Sequence, residues 1–146
     1  MRVRSAAILI QNNSLALMER HRDGRHYFSF PGGGVDAGET PEQAVVREAH
    51  EELGVEVKVI RLAAEVWLNG KQQFFFLVEQ TGGTFGTGAG EEFASDRDPA
   101  RGTFDPIWMP LEQVTAQNVL PKQVAELVAK SHPDHWPDAP IVIHEV

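Results

Sequence analysis

The chain of 146 residues contains no cysteine. That excludes a disulfide framework and a thiolate zinc site, and a reducing compartment is the simplest setting. A long apolar run is missing too. The opening "MRVRSAAILIQNN" carries two arginines but only "AAILI" before Gln11, too short for a signal-peptide core and far too short to span a bilayer. These absences make a cytoplasmic protein the expectation. Basic residues are scarce, with 13 Lys and Arg against 21 Asp and Glu and a formal charge of −8. Nucleic-acid polymers and membrane surfaces call for a basic face, so neither is expected as a partner. A small anionic substrate stays open, provided divalent cations stand between it and the carboxylates.

What is present is ordinary globular composition, 42% hydrophobic and 23% charged, in a length that fits one domain. No internal repeat or second domain is visible. Val3 to Ile10 and Ser14 to Glu19 read as a hairpin turning at Asn12 and Asn13. After the polar connection "RHRDGRH", "YFSF" resumes a strand up to Pro31. Thr40 is a helix N-cap, with Pro41 at the first helical position, Gln43 completing a capping box and Gly54 ending the helix in a left-handed residue. Val55 to Leu62 and Ala63 to Glu79 are strand-like around the turn "NGK", Thr81 to Thr103 is a Gly- and acid-rich loop, and "DPIWMP" is a last core strand. "LEQV" starts a short turn or helix, and "PKQVAELVAK" a helix that buries Val124, Leu127 and Val128. The tail ends in a strand-like run fit for a sheet edge or a dimer contact.

The chemistry concentrates in "PGGGVDAGETPEQAVVREAHEELGV", Pro31 to Val55. On a helix turning about 100° per residue, Glu48, Glu51 and Glu52 lie within an arc of roughly 100°. Val46, Ala49 and Leu53 cluster on the far side with Val45 at the margin, so that far side is the face expected to pack on the sheet. Like charges at this spacing repel, and a hard divalent cation, Mg²⁺ or Mn²⁺, resolves the repulsion with carboxylate and carbonyl oxygens as ligands. Arg47 can bridge to Glu51 one turn on. Gly32, Gly33 and Gly34 can take positive φ and bring backbone groups close to metal or phosphate. By itself "REAHEE" reads as a solvated acidic face and "PGGG" as a turn.

Taken together, Gly33, Glu39 and the run Arg47 to Val55 resemble the complete signature of the Nudix hydrolases. The similarity extends through "VRSAAILI", "YFSFPGG" and "IWMPLEQV", so residues 3–130 are expected to form the Nudix domain and 131–146 a C-terminal tail. Asp36 stands where a glutamate is frequent, and Ala49 is small for its aliphatic slot.

The resemblance implies an α/β fold with a mixed β-sheet sandwiched between helices, and hydrolysis, dependent on Mg²⁺ or Mn²⁺, of a nucleoside diphosphate linked to another group. A metal-activated water would attack phosphorus. Glu48 and Glu52 would be the main metal ligands, with Glu51 sharing the cluster and the Gly32 carbonyl adding a ligand. Arg47 and Glu39 would brace loop and helix, Arg47 lying within the catalytic set and Gly33, Glu39 and Gly54 serving as structural positions. Glu48 is the first choice to take the water's proton, and Glu91 of "GAGEEF" the loop candidate, with Glu92 close behind. Arg20, Arg22 and Arg25 are candidate phosphate contacts beside Gly33 and Gly34, ordinary surface charge being the alternative. Phe28, with Tyr27 and Phe30, is a candidate platform for a base, core packing being the alternative.

The rival reading is a Nudix-like module that senses a nucleotide without cleaving it, which would be expected to have lost part of the carboxylate set. An NTP, an oxidised NTP, a nucleotide sugar and a dinucleoside polyphosphate all fit as the small-molecule substrate. A homodimer is compatible with the tail.

Overall fold

Alternate residues of the first strand, β1 (Arg4–Gln11), enter two separate cores: Ala6 and Ile8 on one side of the sheet, Ala7 and Leu9 on the other. The same division runs through β2 (Ser14–Arg22), where Leu15 and Leu17 face the first core and Ala16 and Met18 the second. The computed structural model describes residues 3–88 and 103–145. The remaining strands are β3 (Arg25–Ser29), β4 (Gly32–Gly34), β5 (Val55–Leu68), β6 (Lys71–Gly83), β7 (Thr103–Pro110), β8 (Val119–Leu120) and β9 (Ile141–Glu145). Two helices, α1 (Pro41–Leu53) and α2 (Lys122–Ser131), complete the framework with a 3-10 turn at Leu111–Gln113.

The sheet order is β8-β3-β2-β1-β6-β5-β9, with β4 added to β1 and β7 to β2. Pairing is mixed: β1 runs parallel to β6 but antiparallel to β2 and β4. Helix α1 contributes Val45, Ala49 and Leu53 to one core, while α2 places Val124, Ala125, Leu127 and Val128 in the other. A mixed sheet between helices, as expected, is the result.

The hairpin turns follow from local chemistry. Asn12 and Asn13 (φ 51° and 58°) join β1 to β2, and Asn69-Gly70 (φ 51° and 75°) joins β5 to β6. A third turn corrects the reading of "RHRDGRH" as a mere polar connection. Asp23 and Gly24 (φ 52° and 75°) close a further hairpin, so β2 runs to Arg22 and β3 begins at Arg25. The Asp-Gly pair was the available signal.

One further correction concerns the bounds of the loop, which are narrower than Thr81 to Thr103. β6 runs on to Gly83, four residues past the expected end at Glu79, and β7 begins at Thr103, two residues ahead of "DPIWMP". Ile141–Glu145 pairs in parallel with Ala64–Leu68 and lies at the end of the sheet order. Among the described residues, no helix is long and apolar enough to cross a membrane.

Candidate active site

Thr40 and Gln43 form the expected capping box: the Gln43 N–H donates to Thr40 Oγ1 (3.1 Å), and the Thr40 N–H to Gln43 Oε1 (2.9 Å). Gly54, at φ 81°, ends α1 with its N–H donating to the His50 carbonyl. Start and stop are thereby fixed, which sets the phase of the acidic residues between them. Ser5 Oγ ties β1 to the start of α1 by donating to the Pro41 carbonyl (2.9 Å).

The buried face of α1 differs from the sequence expectation. Ala44, Val45, Ala49, Glu52 and Leu53 are buried, whereas Val46 is 37% exposed. These buried positions span an arc of roughly 180° with Glu52 near its middle. The acids are therefore not opposite the packing face. Glu52 lies within it and Glu48 is nearly covered, while Glu51 stays partly exposed, because this part of α1 faces a strand made only of glycines. A Cβ on Gly33 would collide with the Glu48 carboxylate, and one on Gly32 would collide with the Ser5 carbonyl and the Ala6 backbone. Gly32, Gly33 and Gly34 do not take positive φ. They are extended and paired with Ala6, Ser5 and Arg4, so their smallness serves close approach rather than an unusual backbone conformation.

Glu52, only 5% exposed, accepts the Gly32 N–H at 2.8 Å. A buried carboxylate needs such a donor. Arg47 ties the other acids and the Gly34 carbonyl together with all five guanidinium N–H groups. Its Nε and Nη2 hold Glu39 in a two-point bridge (2.9 and 2.9 Å), Nη2 also donates to the Gly34 carbonyl (2.9 Å), and Nη1 is shared by Glu48 (2.8 Å) and Glu51 (3.2 Å). Glu39 also accepts the Asp36 N–H (3.0 Å). The hydrogen bonds from Arg47, then the one from Asp36, hold the Glu39 carboxyl down to about 2. The same bridge raises the Arg47 pKa against the cost of its partial burial.

These groups open on a cleft of about 990 Å³. Four carboxylates line it, Asp36, Glu48, Glu51 and Glu52, together with four cations, Arg4, Arg20, Arg47 and Lys122. Arg20 lies with its guanidinium 4.0 Å from the centre of the Phe104 ring, a cation–π contact. Burial lowers its pKa, with Tyr27 and Glu52 acting in the opposite direction. Its Nε is buried without a hydrogen-bond partner.

The structure thus brings Arg20, Gly32, Gly33, Gly34, Arg47, Glu48, Glu51 and Glu52 to one cleft, with Glu39 bracing Arg47 behind it. Phe30 also lines the cleft, but four substrate-side candidates, Arg22, Arg25, Tyr27 and Phe28, do not. Arg22 is exposed at the β2–β3 turn beside Asp23 (3.6 Å), and Phe28 is 8% exposed within the apolar core. Both sit where strand alternation and hairpin register put them. Glu91 and Glu92 lie outside the described residues. Sequence reasoning missed Arg4, Gln73, Phe104, Lys122 and Gln123, which join the lining from β1, β6, β7 and α2. No local pattern marks them, since pairing between distant segments alone gathers them.

Three comparisons place this geometry among known proteins. Residues 1–131 match the family model described as NUDIX domain. A 69-residue stretch, 46% of this chain, is 42% identical to an RNA pyrophosphohydrolase of Vibrio atlanticus, of which it covers 40%. The chain thus spans less than half the length of the curated relatives it matches. Among solved structures, a NUDIX hydrolase from Nitrosomonas europaea superposes with a TM-score of 0.74 at 16% identity, covering 99% of this chain and 79% of that one. An ADP-ribose pyrophosphatase from Streptococcus suis superposes with a TM-score of 0.66 at 20% identity, covering 99% and 98%. At these identities the likeness is one of fold.

Proposed function

The chain belongs to the NUDIX domain family, and from that premise we propose that it is a pyrophosphohydrolase, dependent on Mg²⁺ or Mn²⁺, that cleaves the diphosphate linkage of a nucleoside diphosphate derivative. The observation that carries the reading is the fit of Glu48 against Gly33, with Arg47 holding Glu48 and Glu51 while Gly32 holds Glu52. Carboxylates fixed this closely are costly unless a cation joins them.

The donor set suits that cation. Glu48, Glu51, Glu52 and the Gly32 carbonyl offer hard oxygens without sulfur, the preference of Mg²⁺ and Mn²⁺. Bound there, the ion supplies Lewis acidity toward phosphate oxygens and water. The chain's own residues do the remainder. Glu48 takes the proton of the attacking water, Arg47 fixes the carboxylates it bridges, and the bare backbone of Gly33 and Gly34 lets the diphosphate approach. Arg20, with Arg4 and Lys122, meets the phosphate charge. Glu91 is the loop candidate for the same proton transfer. The missing cysteine fits a cytoplasmic setting, and β9 at the edge of the sheet offers a surface for a homodimer.

The substrate class remains an NTP, an oxidised NTP, a nucleotide sugar or a dinucleoside polyphosphate. The name of the Vibrio relative, an RNA pyrophosphohydrolase, adds RNA as a further candidate. A hydrolysis screen across these compounds, with Mg²⁺, Mn²⁺ or chelator and identification of products, tests the reading. Release of phosphate, pyrophosphate or a nucleoside monophosphate only with metal supports it. Tight nucleotide binding without turnover on any compound would sink it in favour of a sensing module.

A further inference from the structure

Among the described residues, the one group of three His or acidic side chains whose ligand atoms all lie within 4.8 Å of one another is Glu19, His21 and His26. It is not the acidic set of the cleft. Glu19 and His21 alternate along β2, and His26 stands directly opposite His21 on β3. The Asp23-Gly24 turn fixes that register. The imidazole rings stack with centres 4.2 Å apart at 6°, and His26 Nε2 lies 2.7 Å from Glu19 Oε2.

We propose that Glu19, His21 and His26 form a second metal site, for a borderline transition-metal ion such as Zn²⁺, that clamps β2 to β3. Donor chemistry separates it from the cleft: imidazole with one carboxylate suits Zn²⁺, Ni²⁺ or Cu²⁺, whereas oxygen-only donors suit Mg²⁺ and Mn²⁺. The ligand atoms are close enough once the stacked rings, whose in-plane lone pairs run side by side, turn toward a common point. At zinc bond lengths of about 2.1 Å, ligand atoms of a tetrahedral site stand about 3.4 Å apart. Closing the present set needs the Glu19–His26 contact to open slightly and the rest to draw in, within reach of half-buried and exposed side chains. Thr103 Oγ1 lies 3.4 Å from His21 Nδ1, which leaves the opposite ring nitrogen, Nε2, for the ion, the pattern of a metal-bound histidine whose other nitrogen is hydrogen-bonded. Three protein ligands leave a fourth position for water.

The clamp also bears on the cleft. Arg20 lies between Glu19 and His21 in sequence, and by strand alternation its side chain takes the opposite face, where it lines the cleft on Phe104. An ion that pins its two neighbours stiffens the strand that presents it.

The test uses the full chain, freed of metal by chelation and titrated with Zn²⁺ alone by calorimetry, alongside melting curves. Wild type should bind one equivalent tightly at this site and melt higher with Zn²⁺. His21→Ala and His26→Ala should each lose that equivalent and its melting shift, and Glu19→Gln should weaken it at least tenfold. Glu52→Gln should keep it. His26→Phe retains a β-favourable ring, so loss of binding there with an unchanged circular dichroism spectrum separates ligation from misfolding. A Zn²⁺ stoichiometry and melting shift unchanged from wild type in both histidine substitutions, or loss of the histidine-dependent equivalent in Glu52→Gln, overturns the proposal. Because Zn²⁺ binding is read without turnover, failure here and failure of the hydrolytic reading are distinguishable.

Discussion

Gly33 leaves room for Glu48: a Cβ on Gly33 would collide with the Glu48 carboxylate. The two residues are 15 positions apart by number, 48 − 33, and neither makes sense alone. Gly33→Ala should push the Glu48 carboxylate aside and lower kcat about 100-fold, the scale of a misplacement near 1 Å. The obstacle is the end of a flexible side chain, so the melting temperature should move little. Gly32→Ala meets the backbone of Ser5 and Ala6 instead, and should cost about 1–3 kcal/mol of stability as overpacking. Denaturant titrations beside kinetics on both variants check the split. Equal stability losses would contradict it.

Replacing Glu48 or Glu52 with Gln should lower turnover by orders of magnitude with the fold retained, because the Gln side-chain oxygen at position 52 can still accept the Gly32 N–H. Glu51, whose side chain is 41% exposed, should matter less. The three kcat values at saturating Mg²⁺ provide the ranking. An unaltered rate in the first two variants would remove the mechanism.

Arg20 and Arg22 offer a matched pair, one lining the cleft and the other exposed at a turn. Arg20→Ala should weaken substrate capture by about 1.5–3 kcal/mol, the worth of a hydrogen bond to a charged group, read as a rise in KM or a fall in kcat/KM. Arg22→Ala should leave both parameters within about twofold, since surface changes rarely exceed ±0.5 kcal/mol. Similar losses in the two variants would rule out a specific phosphate contact at Arg20.

Glu39 supplies a pH signature. Its carboxyl sits at about 2 in the fold against 4.5 ordinarily, because Arg47 hydrogen-bonds its charged form. A depressed carboxylate pKa gives stability that is fully present above 4.5 and lost as pH falls through the window toward 2. The melting temperature of Glu39→Gln should therefore lie below that of wild type at pH 7, with the gap narrowing below pH 4.5. A gap that stays constant down to pH 3 would show that the bridge contributes no linkage.

Much of the framework was readable in one dimension because local rules govern it. Thr40, Pro41, Gln43 and Gly54 delimit α1 through bonds within a few residues of one another, and Asn12-Asn13 and Asn69-Gly70 select their turns by the φ values they tolerate. The burial of α1 was not readable in the same way. A helical wheel ranks positions by hydrophobicity, so it put Val46 inside and the glutamates outside. Val45, Ala49 and Leu53 pack on the core, but the adjoining part of the buried face meets a side-chain-free strand that admits carboxylates, and Val46 is left exposed.

Sequence by itself determined the motif: three glycines, Glu39, Arg47 and three clustered glutamates at set offsets, bounded by caps that fix their phase. Only the tertiary structure decided which groups meet it. Arg4, Phe104 and Lys122 come from β1, β7 and α2, and Phe28 leaves for the core while Arg20 enters the cleft. The physical reason is that strand register and sheet order, set by hydrogen bonds between distant segments, choose the face each side chain takes. A one-residue slip would reverse every such assignment.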